Sequence, residues 1–301
     1  MKIISRVIGF VIVLFIFLTN ITSCNKFEGN QEIPAYIHVD TFLFSTEYPY
    51  EGANSHKITD VWLYVDGNVL GCYELPATIP VLERGEHAVL LIPGIKLNGI
   101  SATRTINPFY KPYEIPSYEF KEGVIDTIHP STRYYSKEES TINFRFMEDF
   151  ENQVLLEESD NSDTTIVRTE RDDPNVWKDA EDNSHYSGYV WLGDTTDFFC
   201  ITSNEHFSDL PNQGDYIFLE IDYKCTEQFK VGLLARIGGL KQIDLIYVNP
   251  SPTWNKIYVN LGPNITDNQE ATYFDFFISG NLNGSQEAEY YFDNIKLIYR
   301  E

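Results

Sequence analysis

The stretch that decides the fold reads Asp215-Tyr216-Ile217-Phe218-Leu219-Glu220-Ile221-Asp222-Tyr223-Lys224-Cys225, and after three residues it continues Phe229-Lys230-Val231-Gly232-Leu233-Leu234-Ala235-Arg236-Ile237. Ile217, Leu219, Ile221, Tyr223 and Cys225 recur at every second position, as do Phe229, Val231, Leu233, Ala235 and Ile237. A period of two belongs to a strand, whose successive side chains point to opposite faces; a helix repeats at 3.6. Both runs are therefore read as strands with one apolar face. Further runs follow at 242–248, 254–261, 272–279 and 290–299, separated by Pro, Gly and Asn turns. Strands at about every dozen residues over such a length point to a jelly-roll sandwich.

Toward the N-terminus, Val61, Leu63 and Val65 alternate with Trp62 and Tyr64, and Asp66-Gly67 supplies a hairpin turn. Gly85-Glu86 opens another strand, closed by Pro93-Gly94. These features describe a small antiparallel sandwich. From Ile33 onward no helical period lasts longer than a turn or two, so the expected fold class is all-β. The aromatic and proline-rich segment 107–118 is no central strand, because proline cannot donate to a ladder. It is either a strap packing Phe109, Tyr113 and Phe120 on the first sandwich or an extended groove for a partner. The polar stretch 136–140 sets the expected boundary between a unit at 33–140 and a jelly roll at 141–301.

The chain has 22 Lys plus Arg against 45 Asp plus Glu, a formal charge of -23. Such a surface repels polyanions and excludes nucleic acid as a partner. The acidity is concentrated in residues 145–301, with 29 acids against 11 bases. Acidic runs at 157–160 and 179–182 are read as solvated loops, with calcium-binding loops as the other reading. No metalloprotease, serine-hydrolase or phosphate-loop motif occurs, and the six histidines show no metal-ligand spacing, so no enzyme is expected.

Sugar binding needs aromatic faces flanked by a few polar groups, and Trp177, Tyr186, Tyr189 and Trp191 are the candidates. Tyr189 and Trp191 share one face of a short strand, which makes either a binding platform or part of the core. Trp254 follows the strand pattern and is read as core.

Lys2 and Arg6 precede an uncharged apolar run at 7–18, and Ile21-Thr22-Ser23-Cys24 resembles the lipobox of bacterial lipoproteins. The resemblance implies a leader at 1–23, an acylated Cys24 embedded in the lipid bilayer, and a tether at 24–32. Asn25 after the cysteine resembles lipoproteins sent to the outer membrane. The apolar run is short of the roughly 20 residues an uncleaved span needs. Cys72, Cys200 and Cys225 then remain. Three cysteines make no disulfide framework; Cys225 is in phase with the apolar face, and a Cys200–Cys225 bond is the alternative to free thiols.

Glu148-Asp149-Phe150-Glu151, the run 252–261 and Tyr291-Phe292-Asp293-Asn294-Ile295-Lys296-Leu297 resemble, in this order, carbohydrate-binding-module jelly rolls of the galactose-binding-like type. In that family the acid of the closing motif and an acid of the opening strand often share a structural calcium, which implicates Asp293 with Glu151 and Asp149. Asp293 is in phase with Ile295 and Leu297 and should point to the core side, where a carboxylate needs either a cation or backbone N–H donors. Residues 64–71 with Gly85-Glu86-His87 resemble the repeat of surface-layer and carboxypeptidase-regulatory-like β domains, and the first unit as a whole is similar to Ig-like sandwiches. Anchor, Ig-like unit and binding module in this order resemble accessory glycan-binding outer-membrane lipoproteins of Bacteroidota. The implied function is non-catalytic glycan binding, with the first unit as spacer or docking module. The competing reading is a structural or assembly component, with a protein partner in an outer-membrane secretion, gliding or transport complex.

Overall fold

The computed structural model describes residues 32–136, 138–178 and 184–301; the leader, Cys24, most of the tether and the acidic run at 179–182 lie outside the described residues. The fold is all-β, and the two strands of the deciding stretch lie in opposite sheets. Ile217–Cys225 is a central strand of a six-stranded sheet, between Glu287–Arg300 and Ser251–Asn260, with Gly188–Gly193, Val167–Arg168 and Ile142–Glu148 completing it. Phe229–Ile237 lies in a five-stranded sheet between Phe274–Asn281 and Gly239–Val248, with Phe198–Ser203 and Leu156–Glu158 beyond. All pairings in both sheets are antiparallel. Leu219 and Ile221 from one sheet and Val231 and Leu233 from the other fill the core between them. Burying such a side chain stabilises by about 1.5–3 kcal/mol, which is why the alternation is so strict there.

In the N-terminal segment Asp60–Val65 pairs with Asn68–Glu74 and Gly85–Lys96. Asp66 (φ 49°) and Gly67 (φ 78°) form the tight connection, both in the left-handed region that such a two-residue turn demands. A smaller sheet of Ala77–Val81, Ala35–Val39 and Ile125–Thr127 faces it, and the last two of these strands run parallel. Ile37, Ile79, Val61, Leu63 and Leu91 are buried in its core. Tyr113–Phe120 pairs with Gly85–Lys96, so that Pro116 falls in a flanking strand.

Two observations depart from the sequence expectation. First, the segment around Phe109 packs on the jelly roll as well as on its own sandwich. Phe109, Tyr110 and Tyr134 share a buried cluster with Phe218, Tyr258 and Ile298, which project from the outer face of the six-stranded sheet. Phe109 meets Phe218 edge-on at 5.1 Å. Ile217–Cys225 is consequently buried on both faces, because the N-terminal segment covers half of the sheet.

Second, Asp293 does not point to the core side. Asn294 adopts φ 46° and the ladder between Ile217–Cys225 and Glu287–Arg300 shifts register there, so the phase slips by one residue. Phe292, Ile295 and Leu297 stay in the core while Asp293 pairs with Asp222 on the opposite face. Cys72, Cys200 and Cys225 are free thiols, with Cys225 buried in the core as its phase implies.

The seam between the two halves carries charge. Lys256 Nζ lies 3.1 Å from Glu220 Oε2 and 3.5 Å from Asp222 Oδ1, and donates to Ser55 Oγ at 3.0 Å. Lys296 Nζ donates to the Ala53 carbonyl at 2.8 Å. Tyr134 OH donates to Glu220 at 3.2 Å, and Tyr258 OH accepts from Lys57 N at 2.8 Å. Two lysines thus stand beside Glu220 and Asp222 in a desolvated layer that Asp293 adjoins. Burial and the neighbouring Lys256 push Lys296 down to about 8. For Lys256, burial acts in the same direction but Asp222 and Glu220 overcome it, leaving the ammonium well above its ordinary range.

A candidate ligand site at the seam

The turn at 173–178 brings two tryptophans to one place. Asp173 Oδ1 accepts from Asn175 N at 2.8 Å, closing an Asx turn. The Asn175 carbonyl accepts from Trp254 Nε1 at 2.9 Å, and its side chain accepts from Lys224 Nζ at 2.6 Å and donates to Tyr291 OH at 3.1 Å. Trp177, two residues on, is held by its own N–H on Ser187 Oγ at 3.0 Å. Both indoles are half-buried and line a pocket of about 350 Å³. That volume is at the lower end of the range for small-ligand sites, about 300–1,000 Å³.

The facing wall comes from the N-terminal segment, at Asn54, Ser55, His56 and Lys57. Asp222, Asn255 and Lys256 also line the pocket. Burial and Lys256 push the His56 imidazole down to about 4, so it is neutral near pH 7. Asp222 is only 2 % exposed, and its Oδ2 finds no hydrogen-bond partner among the described residues. Buried carboxylate oxygens are seldom left unpaired, and burial raises the pKa of this one. The pocket is therefore lined by two tryptophans, a buried carboxyl group with one unpartnered oxygen, and amide and ammonium groups. That set suits a polyol ring with one apolar face and hydroxyls at its edges.

Of the four aromatics chosen from sequence, only Trp177 lines this pocket. Tyr186 packs against the jelly-roll core, and the Arg168 guanidinium covers its ring at 3.8 Å. Val190 and Leu192 take the core positions, so Tyr189 and Trp191 do project outward. Tyr189 is occupied, however, lying 4.8 Å from the Tyr291 ring and donating its hydroxyl to Glu289 at 3.0 Å. Trp191 is 37 % exposed and rests over Gly193, where an added Cβ would meet its ring at 2.5 Å. Trp254, expected in the core, is the second wall. The N-terminal wall and Asp222 carried no motif; the signal for a covered face was apolar Phe218, Tyr258 and Ile298 at outward-phase positions of three strands.

Asp149 lies close enough to Asp293 to act on it, and both, with Glu151, act on Tyr48. Glu151 Oε1 accepts from His185 N at 2.6 Å and Tyr186 N at 3.0 Å. Asp149 accepts from Glu151 N at 3.1 Å and Tyr48 OH at 3.1 Å. Asp293 accepts from Ser187 Oγ at 2.6 Å and Asn294 N at 2.7 Å. Among the described residues no three His, Cys, Asp or Glu side chains are grouped to hold a metal. These oxygens face N–H and O–H hydrogens, an arrangement that does not fit a calcium ion requiring six to eight oxygen ligands. Calcium and EDTA are expected to leave the melting temperature unchanged; a rise of several degrees with calcium alone would overturn this.

Glu148, 2 % exposed, accepts from Phe150 N at 2.7 Å and also from Leu155 N, yet burial outweighs both donors and lifts its carboxyl to about 7. Between pH 4.5 and 7 the folded chain holds this proton and the unfolded chain releases it. The contribution to stability is complete below pH 4.5 and is lost as pH rises toward 7, by on the order of 3 kcal/mol. Urea denaturation at pH 5 and pH 7.5 should show a smaller pH effect in Glu148→Gln than in the parent; equal pH effects in the two proteins would refute the assignment.

No protein-family model and no curated protein matches the sequence. Among solved structures, the chain is similar to a promiscuous carbohydrate-binding module of the β-sandwich superfamily, with TM-score 0.39 and 14 % identity over 79 % of this chain and 84 % of that one. It is also similar to the family 11 module of a Clostridium thermocellum cellulase, with TM-score 0.33 and 16 % identity over 52 % and 94 % of the two chains. A family 61 module in complex with β-1,4-galactotriose follows, with TM-score 0.30 and 13 % identity over 51 % and 91 %. Similarity this low leaves the ligand to be argued from the residues of this chain.

Proposed function

We propose that the protein is a non-catalytic glycan-binding protein that holds a sugar ring between Trp177 and Trp254, with residues 54–57 closing the site. We further propose that acylated Cys24 holds it at the outer membrane and that the unit at 33–140 serves as part of the binding site as well as a spacer. The observation that carries the reading is a pocket walled by Trp177 and Trp254 whose lining includes Asp222, a buried carboxyl group with one unpartnered oxygen. A sugar hydroxyl supplies the donor that this oxygen lacks, and the CH face of a pyranose covers an indole. The aromatic walls are fixed through Asn175 before any ligand arrives, which lowers the entropic cost of binding. A glycan array with the purified protein, followed by titration of tryptophan fluorescence with each hit, tests the reading. Hits that quench or shift the fluorescence support it, and absence of any hit across the array defeats it.

A further inference from the structure

The charge of the pocket is opposite to that of the chain. Among the lining residues three lysines, Lys57, Lys178 and Lys256, stand against one aspartate, in a protein with 45 acids and 22 bases. Lys256 is neutralised within the seam by Glu220 and Asp222. Lys178 donates to Asp172 at 3.2 Å, an acid shared with His185 and Arg171. Lys57 has no such partner: its ammonium meets the amide oxygen of Asn255, and among the described residues no carboxylate lies within ion-pair distance of it. Burial and the nearby Lys96 act to lower its pKa, as expected for a cation without a counter-charge. A surface this acidic has many carboxylates to spare, so a cation left open beside two indoles is a selective feature.

Resting on the glycan-binding reading, we infer that the ligand is an anionic pyranoside, whose carboxylate or sulfate group lies against Lys57 and Lys178 while its ring stacks on the tryptophans. Asp222 then lies on the hydroxyl side of the same ring. The negative group is recognised by charge alone, because ammonium groups are point charges without the bidentate geometry of guanidinium. The net acidity of the chain disfavours long polyanions elsewhere on its surface and confines such binding to this pocket.

The test compares oligogalacturonate, its carboxyl-reduced neutral counterpart and a sulfated galactan oligosaccharide, titrated into the purified protein at low and high salt. At low salt one or both anionic ligands should bind about fivefold to tenfold more tightly than the neutral one, an increment of the size two partly exposed ion pairs supply. The gap should close in about 0.5 M salt, where screening lengths fall to a few ångströms. Comparing uronate with sulfate identifies the group. Lys57→Gln and Lys178→Gln should each narrow the gap between the anionic and neutral ligands, whatever their effect on the affinity for the neutral one. Equal affinity for neutral and anionic ligands overturns the inference and leaves the glycan reading standing. Failure of all three ligands together with a blank glycan array overturns both, whereas failure of all three with neutral hits on the array overturns only the inference.

Discussion

Replacing Trp177 by alanine is expected to weaken glycan binding about thirtyfold, as read by calorimetric titration. One indole face lost from a small apolar site costs about 2 kcal/mol, and each 1.4 kcal/mol is tenfold. The fold should tolerate the change, because Trp177 sits in a turn and reaches the jelly roll through its backbone N–H, which alanine keeps. Trp254→Ala should cost at least as much in affinity, since it removes a ring and the bond to the Asn175 carbonyl that orients the other wall. Trp191→Ala, on the same sheet but not lining the pocket, serves as the control and should leave affinity within about twofold. A Trp177→Ala protein that binds as tightly as the parent would place the sugar elsewhere.

The largest effect on stability is expected from Lys256→Met. The methionine fills much of the lysine's volume but leaves Glu220 and Asp222 buried, with Lys296 their remaining cation nearby. Breaking such a layer by removing one partner costs about 3–5 kcal/mol, because the surviving charges stay desolvated. Urea denaturation should show that loss, and Lys256→Met combined with Glu220→Gln should recover part of it. Lys230→Met provides the comparison: its pair with Asp244 is on the solvent side and is worth at most about 1 kcal/mol. A cost for Lys256→Met no greater than that of Lys230→Met would mean that the seam is hydrated and mobile.

These two expectations also mark what could be read from the sequence. The alternation in 217–225 and 229–237 was legible because each strand has one face committed to the jelly-roll core. The opposite face of 217–225 offered only the hint of an outward-phase Phe218. Phe218, Glu220 and Asp222 are an ordinary mixture for a solvated face, and only the three-dimensional placement of Phe109, Tyr110 and Tyr134 shows that they are covered. Asp293 was misread for a local reason, since one left-handed residue at Asn294 exchanges the two faces and leaves no mark in an apolar pattern. Trp177 was legible as one of four candidate aromatics, and it is the one of them that lines the pocket. Trp254 was misread although its parity marks it: it shares a face with Lys256 and Tyr258, opposite to Ile257 and Val259, which enter the core.

The covered half of the six-stranded sheet has a mechanical consequence. If the proposed ligand is fixed and the chain is pulled at its first described strand, the load reaches the pocket through both halves. The force enters at Ala35–Val39, crosses the first sandwich, and reaches the ligand through the wall at 54–57 as well as through the jelly roll. Tension that slid one half over the other would drag the two walls of the pocket apart, so grip strength and the shear resistance of the lysine–carboxylate layer are one mechanical property. Such a molecule holds only as firmly as its two halves hold each other.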